Sequence, residues 1–173
     1  MVNKKRMCVQ LALGSFVLLG ASAAHATDND DQCYTVASVQ GSWAVISTFG
    51  ANLALALGQR TVDENGTFTG TAVVNAPTPG SPTGQRTITN VTQNGGFVVN
   101  CDGTGTITRV LNSTTQQIDD FVITKGAVRH GQRVATEIQD AQRVPSAVVP
   151  GGVFVIRLHT RRPGDERERE ADR

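Results

Sequence analysis

The chain is poor in the residues that carry most recognisable chemistry. Its 173 residues include one Trp, one Tyr, three His and three Cys. No Gly-x-Ser-x-Gly, zincin motif, phosphate loop or dinucleotide fingerprint occurs, so no catalytic residue, metal ligand or cofactor is assigned from motifs. Lys is nearly absent past the first residues, where only Lys125 remains, and the Arg residues are scattered rather than clustered. Without a basic stripe interleaved with aromatics, nucleic-acid binding is disfavoured. The longest apolar run, Leu11 to Gly20, is about half of the ~20 residues that a membrane-spanning helix needs.

That short run instead reads as the core of an export leader. Lys4, Lys5 and Arg6 precede it, and Ala24-His25-Ala26 places small residues where a signal peptidase cuts. Residues 1–26 are therefore expected to be removed, leaving a periplasmic or secreted protein with no membrane anchor. The leader takes three basic residues and no acidic one, leaving 13 basic residues against 15 acidic, a net charge of −2. Cys8 leaves as well, and the remaining pair, Cys33 and Cys101, reads as a structural disulfide in an oxidising compartment. The bridge would close a loop of 68 residues, stabilising by roughly 4 kcal/mol if the effect is loop entropy.

Past the leader, an acidic segment at residues 27–32 reads as a solvated tail, and Cys33 to Val39 is β-prone (Tyr34, Val36). Gly41 to Ser47 is the first full strand, with Trp43, Val45 and Ser47 on one face. Leu53, Leu55 and Leu57 recur with period 2, which predicts a strand with its leucine face inward. Asn65-Gly66 supplies a hairpin turn. Phe68, Gly70, Ala72 and Val74 then line one face, with Thr67, Thr69 and Thr71 on the other. A Pro/Gly loop at 75–84 leads to a strand at Arg86 to Thr92, a turn at Asn94-Gly95-Gly96 and a strand at Phe97 to Cys101. Asp102-Gly103 marks a hairpin or a bulge, and Lys125-Gly126 reads as a further turn. Asp119 and Asp120 are adjacent and must face opposite sides of their strand, so they form no dyad. Glu137 and Asp140 read as solvated edge residues, and His130 and His159 as surface or satisfied side chains. In the last strand Phe154, Ile156 and Leu158 share one face, opposite Val155, Arg157 and His159. Residues 161–173 are charged and read as a disordered tail. About eight short strands with turn signals between them predict one all-β domain over residues 27–160, a small antiparallel up-and-down β-barrel with a β-sandwich as the alternative.

Gly41-Ser42-Trp43 resembles the opening of calycins, the up-and-down barrels that include lipocalins and avidins. The resemblance implies a Trp that plugs one barrel end beneath a basic side chain, with Arg157, Arg161 and Arg162 as candidates. Asn65 to Thr71 is also similar to an avidin hairpin. Ala72 replaces the aromatic ligand residue that follows it there, and no second Trp is present, so the likeness does not extend to a biotin site. Together with Cys101 to Thr106 (Cys-Asp-Gly-Thr-Gly-Thr), the pattern resembles uncharacterised exported bacterial barrel proteins, which bring no function with them.

Three functions follow as expectations. The first is a non-catalytic binding protein, its lumen lined by Trp43, Leu53, Leu55, Leu57, Phe68, Phe97, Phe121 and Phe154 and holding a small apolar or amphipathic ligand; alternatively these side chains simply fill the barrel. The second is a surface or periplasmic module that meets a protein partner through its Thr-rich faces and loops. The third is an isomerase of the allene oxide cyclase or dirigent type, which requires an acid or base in the lumen, with Glu137, Arg109 or Asp119 as candidates.

Overall fold

The computed structural model describes residues 33–50, 54–81, 83–110, 116–143 and 155–163. The leader with its cleavage site, the acidic segment 27–32, Leu53, Phe154 and residues 164–173 lie outside the described residues. A one-turn helix, α1 (Val36–Val39), precedes eight strands: β1 (Gly41–Phe49), β2 (Ala54–Val62), β3 (Thr67–Pro77), β4 (Arg86–Val99), β5 (Thr104–Val110), β6 (Gln116–Arg129), β7 (Gln132–Gln142) and β8 (Val155–Arg161). Each strand pairs antiparallel with its sequence neighbour, and β8 returns to β1, closing an up-and-down barrel. The barrel, rather than the sandwich, is the observed fold.

Three hairpins close one end. In the first, Asp63 N–H donates to Thr67 O (2.8 Å) and Gly66 N–H to Asp63 O (3.1 Å), with Gly66 at φ +80°. Asn65 keeps a negative φ, so Gly66 alone supplies the left-handed residue of this turn. The second hairpin repeats the pattern from Asn100 to Thr104, with Gly103 at φ +87°, which makes Asp102-Gly103 a turn and not a bulge. The third turns at His130 and Gly131, both with positive φ. Lys125-Gly126 is not a turn: it is a bulge inside the continuous β6. Asn94-Gly95-Gly96 likewise lies within β4 rather than breaking it. A Cβ on Gly95 would come within 2.7 Å of the Phe68 ring, so this glycine marks a close ring approach in a strand.

The segment Cys33 to Val39 does not join the sheet, because a closed barrel offers no free edge. It is pinned by the Cys33–Cys101 disulfide and by Tyr34 N–H donating to Cys101 O (3.1 Å). From there α1 buries Ser38 and Val39.

The leucine face of β2 points outward. Leu55 is 50% and Leu57 65% exposed, whereas Ala54, Ala56 and Val62 are buried. Ala56 lies opposite Ser47, which in turn lies opposite Arg157 on β8; small residues face the lumen where long side chains from other strands occupy it. The last strand is inverted in the same way: Val155, Arg157 and His159 are inside and Ile156 is exposed. Outside, a groove of about 570 Å³ runs along β2–β4 between Leu57, Gln59, Thr71, Val73, Asn90 and Thr92. Leu57→Thr is accordingly expected to change unfolding free energy by no more than about 0.5 kcal/mol. A lumen-facing leucine truncated to that extent would cost about 2 kcal/mol or more, and denaturant titration separates the two.

Candidate functional site

The apolar half of the lumen lies toward α1. Trp43 Nε1–H donates to Val39 O (2.8 Å), and the Arg161 guanidinium lies 4.8 Å from the Trp43 ring centre. Arg161 also donates from Nε to Ala135 O (2.7 Å), from NH1 to Gln40 O (2.7 Å) and from NH2 to Ser38 O (3.1 Å). Of the three arginines considered as cover for Trp43, Arg161 is the one in place. Arg162 instead donates to Gln59 Oε1, and Arg157 points into the lumen. Above Trp43, Phe97 meets Phe68 and Phe121 edge to face, each at 5.7 Å between ring centres. Gly95 and Gly105 make room for the Phe68 and Phe121 rings.

Beside these rings sits a buried charged cluster. Arg60 (β2), Arg109 (β5), Asp119 (β6), Asp140 (β7) and Arg157 and His159 (β8) are all 4% exposed or less. Asp119 accepts from Arg109 Nε (2.6 Å) and lies 3.2 Å from Arg157 NH1. Asp140 accepts from Arg157 NH1 on Oδ1 (3.0 Å), and from Arg109 NH2 (3.3 Å) and His159 Nε2 (2.6 Å) on Oδ2. Gln117 adds a donor to Asp119 Oδ1. Gln93 Oε1 accepts from Arg60 Nε (2.9 Å) and, at 3.5 Å, from Arg109 NH1.

The cluster's electrostatics follow from burial and pairing. Burial pushes His159 down to about 4, against the Asp140 hydrogen bond that favours its charged form, and Arg60 and Arg109 push it down further. His159 is therefore neutral near pH 7: Nε2–H donates to Asp140, while Nδ1 has no partner among the described residues. Burial alone would raise Asp140, but the His159 hydrogen bond and the Arg157 charge outweigh it and hold the carboxyl well below its ordinary range. Burial also lowers Arg109 and, more strongly, Arg60, which Arg109 and Arg157 repel as well.

The histidine gives a pH prediction. His159 titrates near 6.5 when unfolded and near 4 when folded, so the unfolded chain binds the extra proton between those values. The contribution of neutral His159 is present in full above pH 6.5 and is lost as pH falls toward 4, on the order of 3 kcal/mol. Unfolding free energy measured across this window should fall, and His159→Gln should flatten the slope.

The expected lumen lining is thus corrected in part. Trp43, Phe68, Phe97 and Phe121 are brought together, whereas Leu55 and Leu57 face outward. Asp140, expected as a solvated edge residue, is buried, and His159, expected at the surface or satisfied, is buried and satisfied through Asp140, because β7 and β8 present them inward beside Ile138 and Val155. Arg109 and Asp119 face the lumen, while Glu137 pairs outside with Lys125 (2.7 Å) and Thr124 (2.8 Å). Asp120, adjacent to Asp119, points out to Arg143. No sequence motif marks Arg60, Gln93 or Gln117, and Arg157 is marked only as a candidate cover for Trp43. A signal for them exists in strand parity: Arg60 is in phase with Val62, Gln93 with Phe97, Gln117 with Phe121 and Arg157 with Val155.

Fold and site together define a closed eight-stranded antiparallel barrel with an aromatic cluster and a charged cluster sharing one lumen. The chain matches no protein-family model, and no curated protein is significantly similar to it.

Proposed function

We propose that this is an exported, non-catalytic barrel protein that binds a small ligand in its lumen. The observation that carries the reading is the meeting of the two clusters at Arg60, whose guanidinium lies 4.8 Å from the Phe68 ring centre. An interior built only to fill space is served by apolar side chains, and buried charges cost several kcal/mol each unless fully paired. The polar half makes a purely apolar ligand a poor fit; an amphipathic one, with a short carbon skeleton and one polar group, suits both clusters. The test is a native mass spectrum of the protein exported to a periplasm with its own leader. The expected spectrum shows cleavage after Ala26, an oxidised cysteine pair and a discrete extra mass that is released on denaturation. A bare chain, even after incubation with periplasmic extract, would overturn the reading.

A second reading, a small-barrel isomerase like allene oxide cyclase or the dirigent proteins, is favoured by Arg109 and Asp119 on the lumenal face. It predicts that a bound molecule is released chemically altered, and that Asp119→Asn stops the change.

A further inference from the structure

The charges in the lumen do not balance, and the surplus sits on one side chain. Arg60, Arg109 and Arg157 carry three positive charges against the two of Asp119 and Asp140, with His159 neutral. Both carboxylates are taken up by Arg109 and Arg157. Arg60 is 2% exposed, and among the described residues neither its NH1 nor its NH2 has a hydrogen-bond partner. The guanidinium is nonetheless held in place. Nε–H donates to Gln93 Oε1 (2.9 Å), one face lies against the Phe68 ring, and its stem lies over Gly70, where a Cβ would meet Arg60 Cγ at 3.0 Å. The edge left open is the NH1/NH2 fork, whose parallel N–H groups match the two oxygens of a carboxylate.

Sequence narrows what within the chain could serve it. At the barrel end opposite α1 the described residues between strands (50, 78–81, 83–85 and 143) include no Asp or Glu, and the sequence has none at 51–53, 82, 111–115 or 144–154. On β2 itself, the positions that share Arg60's face toward that end are Gly58, Ala56 and Ala54, all small. An uncompensated guanidinium in a dry interior is expensive, and an oxyanion brought to it relieves that cost where water cannot.

We propose that the lumen contains an anion site in which the NH1/NH2 edge of Arg60 takes the carboxylate of a small carboxylic acid, its carbon skeleton lying toward Phe68. The proposal rests on the lumenal-binding reading above and names the polar group of the ligand. Gln93 is a positioning residue, since it fixes the guanidinium through Nε.

The test is calorimetric titration of the full chain at pH 7 with hexanoate, and with hexanol as its neutral counterpart. Heteronuclear NMR of the Arg60 Nε–H resonance runs alongside. Expected are one hexanoate per chain, at least tenfold preference over hexanol, and a shift of the Arg60 resonance that saturates with the binding curve. Arg60→Gln should abolish the preference. Equal affinity for hexanoate and hexanol would overturn the anion site while leaving lumenal binding intact. So would a preference that survives in Arg60→Gln, or hexanoate binding that leaves the Arg60 resonance unmoved. No binding of hexanoate, together with no shift in melting temperature from hexanoate, acetate or phosphate, would also overturn it; lumenal binding would then be judged by the mass spectrum alone. Should Arg60→Gln fail to fold, the NMR titration of the unaltered chain decides by itself.

Discussion

Replacing Asp140 with alanine is expected to destabilise the fold by about 3–5 kcal/mol, far more than Asp120→Ala, whose ion pair lies in solvent. Both aspartates accept from arginine, so the contrast isolates burial. Asp120 and Arg143 are each about half exposed, at 53% and 51% of their side chains; water solvates either partner once the other is gone. Asp140 is 2% exposed and receives Arg109, Arg157 and His159 at once. Without it, three buried arginines face a single carboxylate, Asp119, and neither backbone nor solvent can take up the freed donors. Urea titration followed by circular dichroism measures both variants. A cost below about 1 kcal/mol for Asp140→Ala would mean that the lumen is wet, and the account of a dry interior in which Asp140 pairs buried cations would fail.

Trp43→Ala is expected to cost about 3–5 kcal/mol, as truncations of large buried aromatics do. Trp43 is 1% exposed and ties β1 to two other elements: its Nε1–H holds Val39 of α1, its face receives Arg161 of β8, and its edge meets His159, also of β8, at 6.5 Å between ring centres. Truncation leaves a cavity at the closed end and removes the surface over which Arg161 bridges to Ser38 and Gln40. Trp43→Phe keeps most of the volume and loses the hydrogen bond, so its cost should be nearer 1–2 kcal/mol. Because it is the only Trp in the chain, the wild-type fluorescence reports this site alone. The expected emission is blue-shifted and resistant to iodide quenching; a solvent-like spectrum would remove the plug from the argument.

Much of the fold was legible in the chain. The strand at Trp43, Val45 and Ser47, the face Phe68-Gly70-Ala72, the opposed Asp119 and Asp120 and the Cys33–Cys101 bridge follow from period-2 alternation and cysteine number. These are local rules, and they hold wherever a pleated strand lies between water and a core. The errors came where period alone cannot say which face is inside. Alternating Leu and Ala on β2 reads as leucine-in, and Phe154-Ile156-Leu158 on β8 reads the same way. Closure of the barrel reversed both by placing Arg157 and its neighbours in the lumen, where only Ala and Ser fit beside them. Glycine misled for a related reason: Gly95 serves an aromatic ring from β3 and not a turn.

The sequence by itself determined an all-β chain, its strand-sized segments, its aromatic interior positions and its single disulfide, because each depends on neighbours in the chain or on counting. Only the tertiary structure decided the charged lumen. Arg60, Arg109, Asp119, Asp140 and Arg157 come from five different strands, and although the linear chain offers Arg109 and Asp119 as lumenal candidates, nothing in it says that the five meet. The curl of β5–β8 brings Arg109, Asp119, Asp140 and Arg157 within hydrogen-bond reach of one another, closure of β8 on β1 adds Arg60 from β2 beside them, and the same closure removes the water that would otherwise have solvated them.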